Sequence, residues 1–435
     1  MKLRFSSTPI LAITAAAVLS GCATNFRPPP CQPWTPPPSN TWQHDLTLDH
    51  AVQLATSSDV NIADWCARQQ AAHAELVNAS VLPNPVLGFT LEDIGLKDPS
   101  SGKNLMTHTT DLTYSFSKLI TRADEIRAAQ AGQQKSAADV AESRRQVTKS
   151  VGETFYKILA EQELVEVAQK DFNAAKDMEN AAAQRVVVGE GSEYEADRAK
   201  AERLGAERDL DLARRTLALD QLTFAFQLGA DQPAWPHLSG KWPALNPGQK
   251  IKARPTDAQI NAALAARPDY AKVIAARYQA EATLTAEQKR GIIPGDPNVS
   301  AGRKSAPEGH SSVLGISLPL PIFDRNQGGI SKAEAELATA QTEEERIRRE
   351  VISDLSQAKS RSALATSQSG QFARPIVSLR EDLFEKSRKL FEAGELPYTD
   401  LQQSYRELLT ARHQELEARR DAAIADWQAE LASAR

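Results

Sequence analysis

Long apolar runs are what this sequence most lacks. After residue 21 no stretch of 18 apolar residues occurs, so no helix is built to cross a bilayer, which takes about 20. Entry into a membrane is then left to a closed β-barrel, the other structure that satisfies every backbone group in lipid. Histidine is sparse as well. The seven (44, 50, 73, 108, 237, 310 and 413) are scattered, and no two have the i, i+4 spacing of a helical metal site. No phosphate-cradling glycine loop is present, and no catalytic constellation stands out. The sequence therefore reads as no enzyme, with no cofactor and no resident metal. A formal net charge of −5 gives no reason to expect a nucleic-acid partner.

What is present starts at the N-terminus. Lys2 and Arg4 precede an apolar run from Ile10 to Leu19, which is too short to span a bilayer and has the layout of a secretory leader. It ends in Leu19-Ser20-Gly21-Cys22, which resembles a bacterial lipobox. That resemblance implies that residues 1–21 are removed and that Cys22 carries lipid. Ala23, in place of the Asp that signals inner-membrane retention, favours the outer membrane. Losing the leader removes two basic residues and no acid, taking the net charge to −7. Residues 22–45 contain RPPPCQPWTPPP, an extended tether rather than a packed element. Cys31 and Cys66 would both lie in an oxidising compartment, as a disulfide or as free thiols.

From Leu46 the chain is strongly helical and repeats itself. Leu54-Ala55-x-x-x-Asp59 recurs as Leu264-Ala265-x-x-x-Asp269, and Pro83-Asn84-Pro85 loosely as Pro294-Gly295-Asp296-Pro297. Arg144-Arg145-Gln146-Val147 recurs as Arg348-Arg349-Glu350-Val351, and Gly189-Glu190 as Gly394-Glu395. All four offsets lie between 204 and 211 residues. Two repeats, 46–229 and 258–435, flank a Pro- and Trp-containing connector at 230–257. Each repeat predicts a helix (47–80 in the first), two alternating strands, a very long helix and a returning helix. In the first repeat Leu87, Phe89 and Leu91 alternate with polar residues, and Leu112, Tyr114 and Phe116 do the same after the polar loop 95–104. The second repeat offers 297–305 and 311–318. Arg303 weakens the first of these, because it shares the alternate set of Val299. Apolar outside and polar inside is the pattern of barrel strands.

The long helices are expected at about 124–188 and 329–393, each roughly 100 Å. Val140, Val147, Val151, Ile158 and Val165 step by sevens and fours, as do Ile347, Val351, Leu355 and Ala358, which is coiled-coil spacing. Glycines break both helices before the partners at 193–229 and 398–433.

This layout resembles the TolC-type outer membrane efflux channels over residues 46–433. Leu82-Pro83-Asn84-Pro85 and, more specifically, the string from Ser317 to Gly328 (SLPLPIFDRNQG) are similar to the CzcC-like branch, the outer components of heavy-metal pumps of the resistance-nodulation-division class. The first repeat lacks the paired prolines of that string, so pseudo-symmetry should be imperfect. The resemblance implies a mainly α fold with a membrane β-barrel part. A homotrimer would lend four strands per protomer to one twelve-stranded barrel above a periplasmic α-helical cylinder. It further implies a periplasmic adaptor docked on the helix tips, an inner-membrane pump as the energy source, outer membrane lipid around the barrel, and divalent cations such as cobalt, zinc or cadmium as cargo. Other readings are a drug or solvent duct, a periplasmic adaptor lipoprotein, which would carry one coiled-coil hairpin between β-rich halves, and a structural coiled-coil lipoprotein, which would lack the strands.

Both repeat tips are acidic. Glu190, Glu193 and Glu195 follow the first long helix, and Glu395 and Asp400 the second. Acids suit helix starts for dipole reasons alone. They would equally form an aperture that favours cations. Arg185 and Lys389, a turn earlier, are candidates to latch a closed tip. Val188, Gly189, Gly394 and Leu396 resemble the family's adaptor contact.

Overall fold

In the computed structural model the described residues are 45–58, 61–243, 255–293 and 295–433, together with Thr35 and Pro37. Cys22, Cys31 and the leader lie outside them. Cys66 is disulfide-bonded, and its partner also lies outside the described residues.

The helices are α1 (Leu48–Ser58), α2 (Asn61–Ser80), α3 (Ser117–Val187), α4 (Glu193–Gln227), α5 (Asp257–Ala266), α6 (Pro268–Ile292), α7 (Gln327–Ser367), α8 (Arg374–Glu392) and α9 (Tyr398–Ala432). The strands are β1 (Val86–Glu92), β2 (Thr107–Ser115), β3 (Asn298–Ala306) and β4 (Gly309–Ser317). The order helix, β-hairpin, long helix, returning helix thus occurs twice. The first helix of each half is in two pieces, where the sequence reading had one helix at 47–80.

The 71 residues of α3 extend roughly 105 Å. The helix begins seven residues before the expected position, at Ser117. Its coiled-coil positions face inward: Val140, Val151 and Ile158 are buried, and Val147 packs against the same core. Ala168, Ala175 and Ala182, seven apart, are buried too, and their small side chains let neighbouring helices approach closely. In the second half Val351, Leu355 and Ala358 are buried in the same way.

The expected single helix at 329–393 is interrupted. A π-turn at Gln368–Ala373 separates α7 from α8. Pro375 lies in the first turn of α8. Proline has no N–H and its ring crowds the carbonyl four residues back, so a regular α-helical ladder cannot run through this point. The wider turn accommodates it.

Midway along the bundle, Leu46, Ala51, Ala55, Phe155, Phe224, Leu228, Leu238 and Ala423 form one core. The stretch after α4 straps across it. Leu46 and Leu238 form a parallel bridge, with Leu46 N–H donating to the His237 carbonyl and Ser239 N–H to the Leu46 carbonyl, each at 2.9 Å. Trp242 stacks on Tyr156 at 6.4 Å, and the Arg419 guanidinium lies 4.3 Å from its ring.

The four strands form one antiparallel sheet in the order β1-β2-β3-β4. Register sets the faces. Leu87, Leu112, Ala301 and Leu314 are successive cross-strand partners, and Tyr114, Val299 and Ile316 lie beside them on the same face. The other face carries Asp111, Thr113 and the Lys304–Glu92 ion pair at 2.9 Å. β3 forms a full strand despite Arg303, which sits on the apolar face opposite Thr110 and Ser312. β1 and β4 each have one free edge. Among the described residues no helix is long and apolar enough to cross a membrane.

Candidate functional site at the paired helical turns

At the end remote from the sheet, the α3–α4 and α8–α9 turns lie side by side and line one open depression. Both are built the same way. Gly189 and Gly394 each adopt φ +80°, and no atom lies within 4 Å of where a Cβ would stand. Backbone conformation, not crowding, therefore requires glycine there. The next amide reaches back five residues: Glu190 N–H donates to the Arg185 carbonyl at 2.8 Å, and Glu395 N–H to the Leu390 carbonyl at 2.9 Å. These bonds satisfy carbonyls that the helix end leaves open. Ser192 then caps α4, its hydroxyl accepting from Glu195 N–H at 3.2 Å.

The turns bring the tip residues together. Glu190, Glu193, Glu395 and Asp400 are exposed, and Glu195 is half-buried. Among the described residues none of these five carboxylates is in an ion pair within the chain. Val188 is 68% exposed and Leu396 half-buried, which leaves apolar surface next to the glycines. Arg185 does not meet the carboxylates inside the protomer. Its guanidinium lies 4.7 Å from the Phe391 ring and donates to the carbonyls of Phe391 at 3.3 Å and Glu190 at 3.2 Å. It staples one turn to the other. Lys389 is exposed and has no ion pair within the chain among the described residues.

Behind the turns the two helical hairpins are joined by a core that sequence reading missed. Ala175, Met178, Ala182, Ala199, Phe384, Phe391, Tyr398, Leu401, Tyr405 and Leu408 pack together. Burial pushes the Tyr398 hydroxyl up to about 12. Tyr405 is raised further for the same reason, and its hydroxyl donates to the Asp171 carbonyl at 2.8 Å. Burial also raises Asp171, against the pull of Arg412 at 2.7 Å. Glu202 accepts from Arg406 and Gln402 across the hairpins. Aromatic residues at Phe384, Phe391, Tyr398 and Tyr405, spaced by sevens, were the available signal. Among the described residues no group of three or more His, Cys, Asp or Glu side chains could hold a metal ion.

Residues 259–433 match the sequence model of the family described as outer membrane efflux protein. The chain is 26% identical over 367 residues to the cobalt-zinc-cadmium resistance protein CzcC of Cupriavidus metallidurans, covering 84% of this chain and 85% of that one. Its fold is similar to CusC (TM-score 0.73, 14% identity, 94% of this chain and 98% of that one). It is also similar to the outer membrane protein VceC of Vibrio cholerae (TM-score 0.71, 15% identity, 92% and 99%) and to the outer-membrane channel OprN (TM-score 0.72, 14% identity, 94% and 95%). Residues 259–433 thus belong to the outer membrane efflux protein family, and the chain as a whole has the fold of the TolC-type channels.

Proposed function

We propose that the chain is one protomer of a trimeric outer membrane duct, the passive exit of a tripartite efflux pump, and that its cargo is divalent heavy-metal cations. The observation that carries the duct is the sheet. It has an apolar face, a polar face and two free edges, and it stands at one end of a helical bundle about 100 Å long. Four strands cannot close on themselves, and lipid tolerates no open edge. Pairing β4 of one copy with β1 of the next closes a barrel, and three copies supply twelve strands. Helices of this length then reach far into the periplasm. The paired turns would meet an adaptor there through Val188, Gly189, Gly394 and Leu396, with an inner-membrane pump behind it.

Metal cargo rests on the name of the CzcC relative and on the unpaired tip carboxylates. Tripled by symmetry, Glu190, Glu193, Glu195, Glu395 and Asp400 would ring the entrance and favour cations. Lys389 and Arg185 would latch a closed tip only by reaching a neighbouring protomer, since within the chain Arg185 is held by carbonyls. Lipid on Cys22 would add a second hold on the membrane, readable as the mass of the N-terminal peptide. The adaptor reading is disfavoured by the second helical hairpin and the four-stranded sheet.

The test is a single-channel bilayer recording. The trimer should conduct, with a preference for cations. The combined Glu190→Gln, Glu193→Gln, Glu395→Gln and Asp400→Asn variant should lose that preference and lower cobalt, zinc or cadmium resistance in cells while still assembling. Wild-type selectivity and resistance in this variant would make the acids ordinary helix-start residues. A particle without a central lumen would end the duct reading.

A further inference from the structure

The apolar face of the sheet changes character along its length. Near the helices it carries Tyr114, Val299, Ile316, Leu112 and Leu314. Toward the hairpin turns the same face carries Arg303, flanked across the strands by Thr110 and Ser312. One rung further on it carries His108, Ser305 and His310, which are successive partners. His108 stands 6.3 Å from the ring of Phe89, an outward residue of β1, which places it on this face.

Arg303 is exposed, and among the described residues its side chain makes no hydrogen bond or ion pair within the chain. The contrast with its neighbour is direct. Lys304 points to the opposite face and is paired with Glu92 at 2.9 Å. A cation on the lipid-facing side of a barrel is penalised at mid-depth and tolerated near the interface. Arg303 lies four residues before the β3–β4 turn, or about 13 Å along the strand and less in depth once the strand tilts. Its side chain can therefore reach the headgroup level. The hairpin turns point away from the helices, so that level belongs to the outer leaflet. A copy pairing at the β4 edge would add Leu87, Phe89 and Leu91 to this face, not a carboxylate. The guanidinium thus needs an anion that the lipid supplies.

We propose that Arg303, with His108 and His310, binds a phosphate of the phosphorylated glycolipid that forms the outer leaflet of the outer membrane. This rests on the barrel reading above. A planar fork of N–H donors matches two phosphate oxygens at once. The imidazole N–H groups of His108 and His310 and the hydroxyls of Ser305 and Ser312 are placed to hold the remaining oxygens or the sugar.

The experiment uses the full-length trimer extracted from outer membranes and examined by native mass spectrometry. It is then stripped of lipid and titrated with the bisphosphorylated glucosamine-disaccharide lipid of that leaflet, its dephosphorylated form, or phosphatidylglycerol. Wild-type trimer should retain the phosphorylated glycolipid in preference to the other two. Arg303→Gln should bind it about tenfold more weakly, and Arg303→Lys should recover part of the loss while folding identically. Equal retention by wild type and Arg303→Gln, or equal binding of the dephosphorylated lipid or of phosphatidylglycerol, overturns the proposal. If it fails while trimers are present in the outer membrane fraction and conduct ions, the failure is of this site alone. A chain absent from that fraction overturns the barrel and this site together.

Discussion

Gly152 and Gly205 both lie inside long helices, and the structure assigns opposite signs to their replacement by alanine. Elsewhere a helical Gly→Ala change is stabilising by about 0.5–1 kcal/mol, because it reduces the freedom of the unfolded chain. Gly205 in α4 has nothing within 4 Å of the added methyl group, so Gly205→Ala should show that gain. At Gly152 in α3 the methyl carbon would stand 2.0 Å from Trp427 Nε1 and 2.2 Å from Cε2 of the same ring. The indole of Trp427, on α9, must move away. It then gives up its 3.3 Å hydrogen bond to the Lys149 carbonyl and disturbs the core around Val151, Phe155 and Ala423. Overpacking costs about 1–3 kcal/mol, and the lost hydrogen bond adds about 0.5–1.5 kcal/mol. Set against the propensity gain, Gly152→Ala should be net destabilising by about 1–3 kcal/mol. Thermal unfolding of each purified variant, followed by far-ultraviolet circular dichroism, reads both changes. A midpoint for Gly152→Ala at or above wild type would refute the claim that this glycine exists to seat Trp427.

Two further outcomes follow from buried polar groups. Burial, together with the hydrogen bond shared with Asp220, pushes Glu161 up to about 7, while Lys157 pulls the other way. Burial opposes the ionisation of Asp220, but the hydrogen bonds from Glu161 and Lys157 outweigh it and hold Asp220 below its ordinary value. A carboxyl raised in the folded state contributes stability that is present below about pH 4.5 and is lost as pH rises through 7. Glu161→Gln should therefore flatten the fall in thermal midpoint between pH 5 and 8, a difference on the order of 1–3 kcal/mol. An unchanged slope would count against a neutral Glu161. Tyr405→Phe removes the donor to the Asp171 carbonyl inside the tip core. It should cost about 1–2 kcal/mol and loosen the α8–α9 turn to protease before the rest of the chain. Uniform protection would show that the two hairpins are not joined there.

The large elements were legible because each carries its own period. The sevens and fours of Val140 to Val165 run along a buried stripe, and Leu87, Phe89 and Leu91 alternate as a strand with one apolar face should. The glycine turns could be read because only positive φ explains Gly189 and Gly394 in equivalent places. The rest depended on partners distant in sequence. Thr107 to Thr110 show no alternation, and they become strand because β1 pairs with all four and β3 with His108 to Thr110 on the other side. Arg303 argued against β3 only if the apolar face were apolar from end to end. The π-turn had a local signal in Pro375, but spacing alone does not distinguish a kinked helix from a straight one. At the tip the acids were plain in the sequence. The engagement of Arg185 with Phe391 joins residues 206 apart and has no sequence signature.

The open edges of β1 and β4 bear on the biogenesis of this chain. A lone protomer presents two unsatisfied strand edges on a sheet with an apolar face, a ready template for pairing with any passing strand. On the proposed reading, its hazard is greatest between export and assembly. In the proposed trimer, barrel closure would couple protomer stability to protomer concentration, so the folded state would belong to the assembled ring rather than to the single chain. In that proposed assembly, slow synthesis would prolong the exposure and prompt encounter of three copies would end it.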